Sequence, residues 1–290
     1  MALHLYIEKE KIIFALKDDK TSFGKAETAL LSAKHNRLLS KTVKNMDFKE
    51  FNERIREQEY GTNDMVLSEA FPALMRKVYL WMTLALAISG IVAYGVATSP
   101  NLLYLIYTNQ LVFWGLIITE LVLVWKISGS IWKENRSLAA TTLMFATFAA
   151  LNGATLSYIF ILFAPTAIIK TFFITSGTFA VTSAYGYFTK KDLSKWGSFL
   201  FMALGGLIIA LVANIFFKSS MLDFIISIAG VLLFVGLTIW DSQNIKRQLA
   251  VAPDDMSEAS QKIALCGALD LYLDFINLFI YLLRLFGRDN

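Results

Sequence analysis

Two aspartates lie four residues apart in the last long apolar stretch of this sequence. They are Asp270 and Asp274, within the segment ALDLYLDFINLF at residues 268–279. A carboxylate at the centre of a membrane-spanning helix costs about 2.5–3.5 kcal/mol on insertion scales, so such residues normally face a protein interior or a wet cavity. Since stability alone hardly justifies two of them, the pair is a candidate functional site.

Helical spacing extends this pair into a polar stripe. Residues separated by three or four positions lie on the same face of a helix. Five polar residues follow steps of four, three, four and three: Asp270, Asp274, Asn277, Tyr281 and Arg284. The remaining faces carry apolar residues such as Leu271 and Phe275. The stripe is therefore expected to point inward, with Asp274 near the middle of the span.

Other polar residues interrupt other apolar runs. Asp241 lies in TIWDSQNIKRQ and Glu120 in the second run. Asp241 has a simpler interpretation as an interfacial residue paired with Lys246 or Arg247. The simpler interpretation of Glu120 is a hydrogen bond that helps two helices pack. The same packing interpretation is favoured for two asparagines, Asn152 and Asn214.

The chemistry expected of clustered carboxylates is proton-linked cation binding. Desolvation and mutual repulsion favour the neutral form, and interacting groups release protons as a coupled set. Ca²⁺ prefers oxygen ligands and would compete with those protons. Both histidines, His4 and His35, precede the apolar region, which argues against His-ligated zinc or haem. Without a phosphate loop or a Ser–His arrangement, we expect no enzymatic activity and no cofactor.

Composition indicates a membrane protein. The 290 residues are 56% hydrophobic and 17% charged, with a mean hydropathy of +0.54, whereas soluble domains carry about 25% charged residues. Stretches such as GVLLFVGLTIW lack the alternation of barrel strands. The fold class predicted is an all-α integral membrane protein with seven transmembrane helices. Its apolar runs lie at about 78–97, 107–127, 138–163, 166–188, 197–217, 221–244 and 263–286.

Residues 1–70 differ from the rest of the chain. Seven Lys or Arg and only two acidic residues occur between Lys20 and Lys49. We expect a charged, partly disordered cytoplasmic arm, followed by a seven-helix transmembrane domain at 71–290. No apolar segment with a cleavage site makes the arm a signal peptide. A natural start at Met46 is an alternative.

Basic residues near the span ends predict the topology, since Lys and Arg favour the cytoplasmic side. With the N-terminus inside, eleven lie on cytoplasmic flanks: Arg76, Lys77, Lys126, Lys133, Arg136, Lys190, Lys191, Lys195, Lys246, Arg247 and Lys262. Three lie outside: Lys170, Lys218 and Arg288. We therefore expect a multi-pass bacterial inner membrane protein whose N-terminus is cytoplasmic and whose C-terminus is outside.

Three segments resemble the transmembrane Bax inhibitor motif family, in particular its bacterial members. They are LDLYLDFINLFIYLLRLFG at 269–287, IWDSQNIK at 239–246 and KKDLSKWGSFL at 190–200. The resemblance covers roughly residues 72–288 and excludes the arm. It implies six helices around a central polar seventh, and a pH-dependent Ca²⁺ leak.

The resemblance also implies site residues. Asp241 and Asp274 match a hydrogen-bonded aspartate pair that senses pH and gates the leak, while Asp270 matches a position that is acidic in only part of the family. A basic residue late in the second helix engages the pair in the family. Here Lys126, Lys133 and Arg136 are all candidates. By run length Asp274 lies on the order of 10 Å deeper than Asp241, so Asp270 would match the depth of Asp241 better.

Three functions remain open from the sequence. The first is the Ca²⁺ leak channel, with Asp241, Asp270 and Asp274 as cation ligands and with Glu120, Asn277 and Tyr281 along or beside the ion path. The second is a membrane interaction protein that modulates a protease or stress pathway through membrane protein partners. The third is proton-coupled transport of a small solute. The expected partners are the lipid bilayer, Ca²⁺ and protons, and no nucleic acid.

Overall fold

All regular secondary structure that the computed structural model describes, over residues 71–130, 137–250 and 257–287, is helical. The helices in these ranges are α1 (Phe71–Ala97), α2 (Pro100–Thr108), α3 (Gln110–Ser128), α4 (Leu138–Leu156), α5 (Ile159–Leu162), α6 (Pro165–Phe188), α7 (Trp196–Phe217), α8 (Ser220–Ala250) and α9 (Glu258–Phe286). The arm predicted for residues 1–70 lies outside the described residues.

Seven helical segments within these ranges are long and apolar enough to cross a membrane. Six are single helices, and the third consists of α4 and α5 over Leu138–Leu162. The predicted fold class, an all-α protein with seven candidate transmembrane helices, is confirmed. The close boundary between the third and fourth apolar runs also holds, because Pro165 begins α6 at a position where a missing N–H costs little.

Apolar run length underestimates three helices. α1 begins at Phe71 instead of 78, α8 continues to Ala250 instead of 244, and α9 begins at Glu258 instead of 263. These extensions contain charged residues that a hydropathy window excludes, yet they continue the helix. At the start of α9 the Ser257 hydroxyl accepts the backbone N–H of Ser260, so a side-chain cap marks this boundary.

Helix α9 supplies a larger share of the buried core than any other described helix. Two thirds of its most apolar window is buried (67%), against 39% or less in the other spans. It packs against α1, α3, α4, α6 and α8, whereas α7 packs against α8. The expectation that six helices surround the seventh is therefore not confirmed, although α9 is the most buried span.

Helices α8 and α9 run antiparallel and form the most extensive helix pair. Small residues allow the close approach: a Cβ on Gly267 would lie 3.0 Å from Ile245, and one on Gly230 would lie 2.6 Å from the Tyr281 ring. Helices α1 and α9 begin at the same end of the bundle, which we call the basic end. Arg76, Lys190, Lys246 and Lys262 lie in its helix ends and loops.

Candidate functional site

The aspartate site joins α8 to α9. Asp241 and Asp274 share a side-chain hydrogen bond between the two helices. An ionised carboxylate has no hydrogen to donate, so a bond between two carboxyl groups requires that one of them carries a proton. Asp274 is 4% exposed, while Asp241 is partly buried. The pair is therefore a candidate proton-binding site between two helices that are long and apolar enough to cross a membrane.

One oxygen of the pair has no partner. Oδ2 of Asp274 is buried without a hydrogen bond from the described part of the chain. The Thr238 hydroxyl also lies against Asp274, but it donates its single hydrogen to the Phe234 carbonyl oxygen at 2.7 Å. Because buried polar atoms are rarely left unpaired, this oxygen can accept a hydrogen bond from water or contact a cation.

Asp270 is the third member of the cluster. Its charge acts on both Asp241 and Asp274, but the hydrogen bond joins only those two. Helix α8 continues beyond Asn244 to Ala250, and Asp241 is within hydrogen-bond reach of Asp274 despite the difference in depth expected from run lengths. Among the described residues, no group of three or more His, Cys, Asp or Glu side chains is arranged to hold a metal ion, so Ca²⁺ binding by the three aspartates stays a prediction.

The predicted polar stripe of α9 lies along α8. Tyr281 stacks on Phe234 with ring centroids 5.8 Å apart, and Arg284 forms an ion pair with Asp223 at 3.7 Å. Asn277 differs, because its amide donates to the carbonyl oxygen of Leu273 in its own helix at 2.8 Å. The stripe thus contacts a helix rather than lining an open cavity at these positions.

The two basic residues considered as partners of Asp241, Lys246 and Arg247, instead contact other residues. Lys246 donates to the Tyr187 carbonyl oxygen at 2.9 Å, and Arg247 pairs with Asp192 at 2.7 Å. The interfacial ion-pair interpretation of Asp241 is therefore wrong. Its neighbour Ser242 donates to Ser183 of α6 at 2.9 Å, so α8 is held to α6 one residue from the site.

A clamp at the basic end connects the other two family-like segments. The Gln243 side chain accepts the Leu193 N–H at 2.9 Å and donates to the Lys191 carbonyl oxygen at 2.7 Å. Arg247 donates to the side chains of Asp192 and Gln243. These contacts fix the loop between α6 and α7 to α8 two residues beyond Asp241. This role of Gln243 was not predicted from the sequence, where the only signal is an amide four residues before an arginine.

The charge of Asp192 is stabilised within this clamp. Its carboxylate accepts the backbone N–H of Ser194 at 2.9 Å and a hydrogen bond from Arg247. These contacts, the backbone hydrogen bond first, lower the pKa of Asp192 from 3.8 to about 2. The Asp192 carboxylate therefore remains ionised throughout the neutral range.

The basic partner of the aspartate pair stays a prediction. Lys126 lies exposed in the last turn of α3, and Lys133 and Arg136 fall outside the described residues. Lys262, predicted only to flank the seventh span, is 5% exposed and pairs with Glu258 at 3.6 Å.

Glu120 belongs to a second polar network, away from the aspartates. Its Oε1 accepts from the Thr155 hydroxyl at 2.5 Å and its Oε2 from the Asn152 amide at 3.4 Å. Asn152 in turn accepts from Tyr272, whose hydroxyl also bonds Ser89 at 2.7 Å. Glu120 and Asn152 therefore join helices, as packing predicts. Asn214 does not, because it accepts the Ser219 N–H at the end of α7.

Comparison with known proteins covers this whole helical region. The family model described as "Inhibitor of apoptosis-promoting Bax1" matches residues 72–290, which include both polar networks and the clamp. The match leaves out the arm, as the resemblance predicted.

Several bacterial proteins are similar over the same region. A protein of Borreliella burgdorferi is 44% identical over 214 residues, which make up 74% of this chain and 91% of that relative. The "Inner membrane protein YbhL" of Escherichia coli K12 is 43% identical over 214 residues, with the same coverage. A membrane protein of Streptococcus pyogenes serotype M3 is 35% identical over 233 residues, 80% of this chain and 97% of that relative.

Proposed function

The chain belongs to the Bax inhibitor family of membrane proteins, and on this premise we propose that it is a pH-sensitive calcium leak channel. Protonation of Asp241 and Asp274 controls the leak. The observation that supports the proposal is the hydrogen bond between these two carboxyl groups, on neighbouring helices inside the membrane-spanning bundle.

The pair acts as a switch because its hydrogen bond depends on one proton. With that proton bound, the bond joins α8 to α9. When the proton leaves, two carboxylates remain within hydrogen-bond reach of each other and beside Asp270. Like charges that close repel strongly in a buried site. A change in the packing of α8 against α9 is the conformational step by which pH alters conduction.

Calcium is the cation that this chemistry suits, as the transported ion rather than a resident cofactor. Ca²⁺ takes several oxygen ligands in flexible geometry. The aspartate cluster offers carboxylate oxygens, including the unpartnered Oδ2 of Asp274. In this proposal Ca²⁺ and protons compete for the cluster. The activity requires no covalent chemistry and no cofactor.

We place the protein in the bacterial inner membrane, in line with the name of its relative, the "Inner membrane protein YbhL" of Escherichia coli. Among the described residues, most Lys and Arg lie at the basic end, so by the positive-inside rule we assign this end to the cytoplasm. The clamp and the start of α9 then face the cytoplasm, while the C-terminal end of α9 is outside.

Reconstitution of the full chain tests the function. Purified protein in liposomes that contain a Ca²⁺-sensitive dye should pass Ca²⁺ at a rate that changes between pH 5.5 and 8. Asp241→Asn and Asp274→Asn should each flatten this pH profile, because an amide cannot take part in the proton exchange. Asp270→Asn should retain a pH dependence with a displaced midpoint, since Asp270 acts on the pair only through its charge.

Asp192→Asn is the matched control, because it makes the same chemical change in an exposed loop and should retain the profile. If both pair variants keep the wild-type flux and pH profile, the proposed gate is wrong. Proton movement that requires an added solute, without Ca²⁺ flux, would instead identify a proton-coupled transporter.

A further inference from the structure

A groove lies between α1 and α6 and opens on the outer surface of the helix bundle. Its cavity has a volume of about 960 Å³, within the 300–1,000 Å³ typical of ligand sites. The walls come from one face of each helix, including Met82 and Leu86 of α1 and Phe179 of α6, and Phe275 of α9 also lines it. Thr83, Ala180 and Ala184 line the groove and are exposed, so it is open laterally.

The length of the groove fits one leaflet of a membrane. Its lining on α1 runs from Pro72 to Leu86, and the apolar part beyond the cation at Arg76 covers ten residues, which corresponds to about 15 Å of helix. The hydrocarbon core of a bilayer is about 30 Å thick, so half of it matches this length. A second cavity of about 390 Å³ shares Leu86, Phe172 and Phe275 and continues toward the other end.

The mouth of the groove at the basic end is cationic. Arg76 is the only charged residue among the described residues that line it. Lys246 lies beside the mouth, with its Nζ 5.3 Å from the centre of the Tyr187 ring, which lines the groove. An apolar slot with a cation at its interfacial end matches a ligand with an acyl chain and an anionic headgroup, and basic pockets between membrane helices bind such headgroups.

The groove wall is also linked to the aspartate site. The hydroxyl groups of Tyr79 and Ser183, both in the wall, are 2.9 Å apart. Ser183 in turn accepts from Ser242 of α8 at 2.9 Å, next to Asp241. A molecule bound in the groove would therefore contact the hydrogen-bonded series Tyr79–Ser183–Ser242, whose last member is next to Asp241 in the chain.

We propose that this groove is a binding site for one anionic phospholipid, with an acyl chain between α1 and α6 and the headgroup phosphate at Arg76. The site is separate from the aspartate cluster, and its occupancy does not depend on the protein being a channel. The charge complementarity at the mouth and the match to one leaflet favour this occupant over a second copy of the chain.

Native mass spectrometry of the full chain tests the site. The detergent-purified protein is mixed with equal amounts of palmitoyl-oleoyl phosphatidylglycerol and the corresponding phosphatidylcholine, two lipids that differ in headgroup charge. We expect one phosphatidylglycerol to remain bound in preference to phosphatidylcholine. Arg76→Gln should lower that preference about fivefold, the effect of one basic residue at an anionic lipid surface.

Two variants fill the groove from exposed positions, Ala180→Trp and Ala184→Trp, and both should lose the retained lipid. Val181→Trp is the control, because Val181 is 71% exposed on the same helix outside the lining, and it should retain lipid. Helical circular dichroism and monodispersity establish that each variant is folded.

Retention of phosphatidylglycerol by both groove variants at the wild-type level would overturn the site. Equal retention of the two lipids by the wild type would overturn the anionic assignment. A lipid-free dimer that Ala180→Trp dissociates would identify a second copy as the occupant and also overturn the proposal.

Discussion

Tyr272 of α9 donates its hydroxyl hydrogen to Oδ1 of Asn152 on α4 at 3.0 Å. Its ring is fully buried between Phe145 and Phe148 of α4. Two residues in either direction along a helix is about 200° of rotation, so Asp270 and Asp274 project from the opposite face. The most buried helix of the bundle thus has a polar contact on each side, to α4 and to α8.

The Tyr272 contact is expected to stabilise the fold without controlling the gate. Tyr272→Phe removes one hydroxyl that serves both Ser89 and Asn152 and leaves buried partners unsatisfied, a loss of about 1–3 kcal/mol. Thermal unfolding followed by intrinsic fluorescence should show a lower Tm, while the pH profile of Ca²⁺ flux keeps its midpoint. Asp274→Asn should alter the flux profile in the same assays. A Tyr272→Phe variant with wild-type Tm and a displaced flux midpoint would contradict this division of roles.

Gly186 of α6 sets the approach of α6 to α8 beside the aspartate pair. A Cβ there would lie 2.2 Å from the Ile239 carbonyl oxygen and 2.9 Å from Cβ of Ser242. Since a backbone atom cannot move aside easily, Gly186→Ala overpacks this contact. We expect the free energy of unfolding to fall by about 1–3 kcal/mol, with a lower Tm. It should also displace the pH midpoint of flux. Gly177→Ala is the control, because its Cβ meets nothing within 4 Å in the same helix; equal effects of the two substitutions would exclude this explanation.

Gln243 is expected to fix the loop between α6 and α7. The side chain is 5% exposed and bonds the backbone of Lys191 and Leu193. Gln243→Leu leaves one N–H and one carbonyl oxygen without these partners and should cost about 2–3 kcal/mol. Hydrogen–deuterium exchange should accelerate at residues 190–195. Gln248→Leu, on the same helix, should leave that exchange unchanged, and slow exchange in both variants would rule out the clamp.

The Asp192–Arg247 contact should respond only to strong acid. The pKa of Asp192 is lowered from 3.8 to about 2, so its contribution to stability is complete above about pH 4 and is lost as pH falls through about 2. Because the pair is exposed, we expect at most about 1 kcal/mol. The carboxyl ¹³C shift of Asp192 should titrate near pH 2 in the wild type and closer to 3.8 in Arg247→Gln. A wild-type midpoint near 3.8 would contradict the assigned contacts.

The same titration bears on the gate. An Asp192 carboxylate that is ionised above pH 4 cannot supply a pH dependence between 5.5 and 8. We therefore expect any such dependence to persist in Asp192→Asn.

The sequence predicted the membrane fold because hydropathy and helical periodicity are local properties. Seven spans, their order and the polar stripe through Asp270 and Asp274 all follow from spacing along the chain. Helix ends were harder to predict where charged residues continue a helix, as in Lys246 and Arg247 of α8. The interpretation of Asp241 as an interfacial ion-pair residue failed for this reason.

Tertiary structure decided which polar residues meet. Asp241 lies 33 positions from Asp274, and only the antiparallel packing of α8 on α9 shows that these two share the hydrogen bond while Asp270 acts through charge. The opposite projection of Tyr272 could be read from helical spacing, but its partner Asn152 on α4 could not. A local pattern fixes the face from which a side chain projects, whereas the partner on that face depends on how distant helices pack.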